Sequence, residues 1–210
     1  MAVYTDIGFD ELDAMLAIYE AGTPRSFKGI AEGVENSNYL LQTDRGTFIL
    51  TLYEKRVSAE DLPFFLSLLE HLEGKGIRCP RPVHTRAGAQ WTVLKGRPAA
   101  LLTFLDGLSL SRPRAGDCAA AGAALAAVHG ASADFGLQRT NSLSLSGWQD
   151  LAKSIGTRAD GVEKGLAALI ASNLAVLEES WPDGLPSGVH SRRPLSRQCA
   201  LHQGQGFRAH

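Results

Sequence analysis

The 210 residues suffice to bury a core, as one domain or two small lobes, and the make-up is ordinary for a globular chain, 44% hydrophobic and 20% charged. The net charge is −1, of which residues 190–210 contribute +4, leaving −5 on the body; that mild acidity gives no electrostatic case for nucleic acid or an anionic membrane. Cys79, Cys118 and Cys199 form no metal pattern and no even disulfide set, "MAVYTDIGFDELDAML" lacks an apolar signal core, and no apolar run approaches the ~20 residues that span a bilayer, so a cytoplasmic protein is expected.

"FDELDAMLAIYEAG" predicts a first helix, with Leu12, Met15, Leu16 and Tyr19 at helical spacing and Gly22 as its stop. "SFKGIAEGVENSNYLLQTDRGTFILTLYEKR" then reads as strand, glycine-containing loop, strand, turn and strand, with Asp44-Arg45-Gly46 as the turn. In "TFILTLY", Phe48, Leu50 and Leu52 face one way and Ile49, Thr51 and Tyr53 the other. "SAEDLPFFLSLLEHLEGKG" predicts the clearest helix. Ser58 and Asp61 suggest a capping box, Leu62, Phe65, Leu66, Leu69 and Leu72 form its stripe, and Gly74 and Gly76 can end it. "CPRPV" enforces an extended connection, and "QWTVLKGRPAALLTFLDG" gives two strands around Lys95-Gly96.

After Asp106-Gly107 the composition shifts. "GDCAAAGAALAAVHG" is Ala-rich and helical, and "NSLSLSGWQDLAKSIG" is ambiguous. "VEKGLAALIASNLAVLEESW" is helical, with Leu166, Leu169, Ile170, Leu174 and Leu177 expected to be buried, and "WPDGLPSG" is a turn. The expected division is therefore 1–105, 106–189 and a tail of 190–210. His71 and His129 have no ligand or base at useful spacing and are read as structural or surface residues. Cys79 and Cys118 are read as small packing residues.

The segments "FKGIAEGVENSNYLL", "FILTLYEKR", "LPFFLSLLEHL", "CPRPV", "GRPAALLTFLDG" and "ALAAVHG" together resemble a bacterial homoserine kinase of the aminoglycoside/choline phosphotransferase superfamily, from Met1 to about Val189. The resemblance implies an α+β, protein-kinase-like, two-lobed fold. An N-terminal five-stranded antiparallel sheet with helices would carry the nucleotide, beside an incomplete helical C-terminal lobe. It also implies ATP and Mg²⁺ as cofactors, L-homoserine as the acceptor, and no nucleic-acid or membrane partner; it leaves the oligomeric state open. Another small-alcohol or aminoglycoside kinase, or a noncatalytic nucleotide-binding module, stands as the alternative.

That chemistry needs a loop over the phosphates, a cation behind them and a backbone pair for the base. "GIAEGVENSNY" holds the loop's place, where Gly33 lets backbone approach a phosphate and Asn36 and Asn38 donate or cap; the plainer reading is a surface hairpin loop. Thr51 takes the third-strand position where such enzymes carry a lysine, and equally reads as a β-branched strand residue. Lys28 is a candidate substitute cation or a solvated strand lysine, and Lys55 and Arg56 are expected to be exposed. In "TFLDG", Thr103 is expected at the back of the base pocket, with Phe104 and Leu105 offering backbone groups.

The resemblance also calls for a catalytic loop, H-x-D-x-x-x-x-N, and a later Mg²⁺-binding Asp. Neither is present; this chain has no catalytic or metal residues to nominate. Instead, "HSRRPLSRQCALH" follows Val189. Read as codons one base later, within the His190 codon, it permits Ile-His-Ala-Asp-Leu-Phe-Pro-Asp-Asn-Val-Leu-Phe in order, which matches the loop expected there. The tail is therefore read as the catalytic loop translated out of frame, and as disordered; a basic disordered tail in its own right is the alternative.

Overall fold

The structure is a computed structural model that describes residues 5–31, 35–54, 57–107, 110–184 and 188–189. Gly33, Lys55, Arg56 and the tail 190–210 lie outside the described residues. The chain divides into two compact units, one built on residues up to Leu137 and the other on Gln138–Ser187.

The first unit contains α1 (Phe9–Leu16), β1 (Pro24–Gly29), β2 (Asn36–Thr43), β3 (Thr47–Tyr53), α2 (Leu62–Gly74), β4 (Thr92–Leu94), β5 (Arg97–Thr103) and α3 (Ala115–Ala131). Five strands form one antiparallel sheet in the order β1-β2-β3-β5-β4. The hairpin at Asp44-Arg45-Gly46 closes through the Thr43 N–H, which donates to the Gly46 carbonyl (2.9 Å). The second hairpin turns at Lys95 (φ 50°) and Gly96 (φ 69°), the two left-handed residues that a tight strand-joining turn requires.

The period-2 pattern gives each face of the sheet its own helix. Leu41, Leu50, Leu52, Ala99 and Leu101 bury against Leu12, Met15 and Leu16 of α1. On the opposite face Tyr53 and Ala100 bury against Leu62 and Leu66 of α2. Ser58 caps the single 3₁₀ turn before α2 by accepting from the Glu60 N–H (3.3 Å), rather than capping the α-helix itself. The stretch after α2 stays extended. Arg81 and Val83 pair through their backbones with Thr103 and Leu101, so "CPRPV" lies along β5.

The first helix is shorter than its periodicity predicts. It ends at Leu16, and Tyr19 leaves the helix to form a β-bridge with Thr85, its side chain 2% exposed in the core. The Ile18 carbonyl accepts from the Arg86 N–H (2.8 Å), so tertiary pairing replaces the last helical turns. Gly22 thus does not stop the helix; it turns the chain into β1 at φ 85°. A Cβ there would stand 2.0 Å from Asp44 Oδ1, which accepts from the Thr23 N–H (2.9 Å). Gly22→Ala is expected to cost about 2 kcal/mol or more, from left-handed strain and displacement of Asp44. Gly74→Ala, in open space at the end of α2, is expected to be neutral or slightly stabilising. Urea midpoints of the two variants check this; equal midpoints would contradict it.

The segment after α3 is tied to α2. His71 Nε2 bonds the Ala131 carbonyl (2.9 Å) and Asp134 Oδ1 (3.0 Å), and Lys75 Nζ holds Asp134 Oδ2 (2.5 Å). The Lys75 ammonium, chiefly, keeps the Asp134 carboxyl below the usual aspartate range. His71 thereby has the structural role expected of it, and His129 is exposed. Cys79 is half-buried and its thiol is pushed up by burial. Cys118 departs from expectation: it is exposed on α3, since no side chain of that helix is fully buried.

The second unit contains α4 (Leu145–Ile155), a 3₁₀ segment (Gly156–Gly161) and α5 (Leu166–Ser180). Trp148 and Trp181 meet edge to face at 5.8 Å. The apolar stripe of α5 is not buried as expected: Leu169 and Leu177 are exposed, and Leu166, Ile170 and Leu174 are only half-buried. The physical reason is that α4 and the 3₁₀ segment are the main packing partners of α5 among the described residues. A gap of about 660 Å³ remains between α4 and α5, lined by Ala152, Ile155, Ile170 and Leu174. Among the described residues no helix is long and apolar enough to cross a membrane.

Candidate functional site

Strand register arranges the sequence-predicted residues on the α2 face of the sheet. Asn38 lies opposite Thr51, and Thr51 opposite Ala100. The Ile30 N–H donates to the Asn38 carbonyl (2.8 Å), so one row runs Ile30, Asn38, Thr51, Ala100. The next row, one pleat towards Phe104, runs Lys28, Leu40, Ile49, Leu102. Asn36 stands opposite Tyr53 on the other side of the Asn38 row, beside the loop. Leu40, Ile49 and Leu102 are half-buried, an apolar shelf that α2 leaves partly open.

The polar row is internally ordered. Thr51 is buried at 6% exposure, and its hydroxyl donates to Asn38 Oδ1 (2.8 Å). Asn38 and Asn36 are half-buried, and Asn36 Oδ1 is enclosed with no partner among the described residues. Lys28 is exposed on the edge strand β1, two strand spacings, about 10 Å, from β3. The structure therefore does not bring Lys28 against Thr51. Tyr53 is pushed up to about 12 by burial, so its phenol stays protonated at neutral pH.

At the far end of the shelf β5 runs out into the connection. The Phe104 N–H is engaged by the Thr47 carbonyl (3.3 Å). The Phe104 carbonyl and the Leu105 N–H have no partner among the described residues; they belong to one trans peptide and point to opposite sides of the chain, so only one of them faces the shelf. Thr103 sits differently. Pairing with Phe48 assigns it to the α1 face, where its hydroxyl accepts from the Arg81 N–H (3.0 Å). Register thus groups Asn36, Asn38 and Thr51 at one end of a shelf and Phe104 and Leu105 at the other, with Lys28 on the rim and Thr103 behind.

Two other polar clusters are satisfied by their own partners. A gap of about 430 Å³ is bounded by Glu70, Glu73, Arg81 and His84, but Glu70 already pairs with His84 and accepts from Gln90 (2.7 Å). On the α1 face Ser37 donates to Glu54 (2.6 Å), whose carboxylate faces Arg97 (3.4 Å); this cluster neutralises itself. Among the described residues no group of three or more His, Cys, Asp or Glu could hold a metal ion. The described residues thus offer no metal-holding cluster, and what they leave open is the Leu105 N–H, the apolar shelf and the amide row.

The Thr51–Asn38 contact was not foreseen from the sequence. The signal for it was present: a hairpin closing Thr43 on Gly46 sets residue 38 opposite 51 by counting back along both strands.

Comparison with known proteins agrees with this architecture. A homoserine kinase of Xanthobacter autotrophicus is 56% identical over 189 residues, covering 90% of this chain and 59% of the relative. One of Sinorhizobium medicae is 55% identical, covering 90% and 58%. The chain thus spans about three-fifths of the length of these curated relatives. Among solved structures, spectinomycin phosphotransferase in complex with ADP and spectinomycin superposes with a TM-score of 0.58 at 15% identity, over 85% of this chain and 60% of that one. Its AMP-bound complex gives 0.52 at 14% identity over 85% and 61%. These likenesses establish the fold as kinase-like α+β. The profile described as the phosphotransferase enzyme family matches residues 26–196, and the chain belongs to that family.

Proposed function

We propose that this chain is the nucleotide-binding part of an ATP-dependent homoserine kinase, which transfers the γ-phosphoryl group of ATP to the side-chain hydroxyl of L-homoserine. The observation that carries the acceptor is the 56% identity to a homoserine kinase over 189 residues, 90% of this chain. The sheet supports the donor. The Leu105 N–H, beside Phe104, would donate to the base edge, and Leu40, Ile49 and Leu102 would cover its face. Asn36, Asn38 and the loop bearing Gly33 would lie along the phosphates, with Thr51 beneath and Lys28 at the rim. Thr103 would support the shelf from behind.

The same reading divides the chain near Asp106-Gly107 into a nucleotide lobe and a partial helical lobe, in a cytoplasmic setting. It takes residues 190–210 as the catalytic loop out of frame. Mg²⁺, when bound, neutralises charge on the phosphates; the described residues supply no ligands for it, so no step here runs through it. The test is a phosphotransfer assay on the frame-corrected protein with L-homoserine or spectinomycin as acceptor. O-phosphohomoserine formation is expected; phosphorylation of spectinomycin alone would replace the acceptor, and transfer to neither would overturn the reading.

A further inference from the structure

A kinase of this plan carries a positive charge on the third strand behind the phosphates. Here the position is Thr51, which is uncharged, buried and already bonded to a neighbour. We propose that Thr51 is a positioning residue for Asn38: its hydroxyl captures the Asn38 carboxamide oxygen and so turns the Nδ2 amide towards the nucleotide phosphates, replacing the missing charge with an oriented donor. This rests on the nucleotide reading of the α2 face.

Three observations carry it. The carboxamide has one acceptor and one double donor, and its direction is set by whichever end is captured. The Thr51 hydroxyl captures the oxygen at 2.8 Å, and Nδ2 has no partner among the described residues. Asn38 is half-buried and within reach of a ligand, whereas Thr51 is closed over. The row lies one pleat beyond the apolar shelf, on the side of the loop rather than of Phe104 and Leu105. That is where the phosphates of a base held at Leu105 must extend. A valine would satisfy a buried strand site at least as well, so the hydroxyl calls for a reason beyond packing.

The experiment compares Kd values for ADP and adenosine on the 210-residue chain by calorimetry; their ratio isolates the phosphate contribution. Thr51→Val keeps the side-chain shape and removes the donor. Asn38 can then turn its oxygen to the phosphates, and the ADP Kd is expected to rise about tenfold, as for loss of a hydrogen bond to a charged group, with the adenosine Kd unchanged. Thr51→Ser is expected to restore the wild-type ratio. Asn38→Ala should lose as much as Thr51→Val, and the double variant no more than either. Should Thr51→Val fold poorly, Asn38→Ala at its half-exposed position still reads the ratio. An unchanged ratio, equal weakening of ADP and adenosine, or additive losses in the double variant would overturn the proposal while leaving the nucleotide reading intact. Failure of the wild-type chain to bind either compound would overturn both.

Discussion

The purified 210-residue chain is expected to form no O-phosphohomoserine above background, whereas the product of the gene read one base later from codon 190 is expected to form it readily. Two missing functions set the size of the difference. A positioned base contributes about 10²–10⁴-fold. Electrostatic stabilisation of the charge that develops on transfer contributes about 10²–10³-fold more for each donor. Both groups belong to the loop that Ile-His-Ala-Asp-Leu-Phe-Pro-Asp-Asn would supply. Loss of the pair should lower turnover by about 10⁴-fold or more even if ATP still binds. The proposed nucleotide face lies within this chain, with Asn38 and Thr51 bonded to each other and the Leu105 N–H open. The expected phenotype is therefore binding without transfer. Resequencing the locus is the companion measurement, and a frame that stays open past codon 210 after the one-base correction is the expected result. Robust phosphohomoserine production by the 210-residue chain would contradict this account of the tail.

Hydrogen exchange in a monomeric sample is expected to divide the chain sharply. Strands β2 and β3 each pair on both sides within the sheet, and Leu41, Leu50 and Leu52 are fully buried. Their amides should open only with the whole domain. The helices α3, α4 and α5 contain no fully buried side chain, and Leu151, Leu169, Val176 and Leu177 are exposed. At ~25 cal/mol per Å² of apolar area, a few hundred Å² left wet forfeits several kcal/mol, a large part of the ~5–15 kcal/mol that stabilises a domain. Opening free energies range from near zero up to the global value, so protection in residues 115–180 should fall at least about 10³-fold below that of 39–53. Equal protection of the two regions would mean that the helices complete a core of their own.

The sheet was legible because its signals are local. Asp44-Arg45-Gly46 and Lys95-Gly96 are turn chemistry, and the alternation in "TFILTLY" assigns Leu50 and Leu52 to one helix and Thr51 and Tyr53 to the other. The end of α1 was not legible, since what stops it is Thr85, far along the chain, capturing Tyr19. The burial expected for α5 followed from spacing alone, and spacing cannot say whether a partner surface exists. "NSLSLSGWQDLAKSIG" was ambiguous because its Ser and Asn side chains compete for backbone groups. Asn141 Oδ1 accepts from the Leu143 N–H (3.0 Å), and the Ser144 hydroxyl bonds the Asn141 carbonyl (2.8 Å) ahead of α4. At the site, residue types suggested Asn36, Asn38 and Thr51, but only the register revealed that Thr51 spends its hydroxyl on Asn38. The side of Thr103 could have been read from Ala99 and Leu101, whose parity it shares.

The central claim, that the α2 face of the sheet binds a nucleotide between Leu105 and Asn38, is tested most directly by titrating the ¹⁵N-labelled chain with ADP and following its amide signals. The account predicts saturable shifts at the Leu105 backbone amide and the Asn38 side-chain amide. It also predicts that the amides of Leu12 and Met15, beneath the opposite face, stay in place. Unmoved Leu105 and Asn38 signals at saturating ADP, or shifts confined to the α1 face, would contradict it.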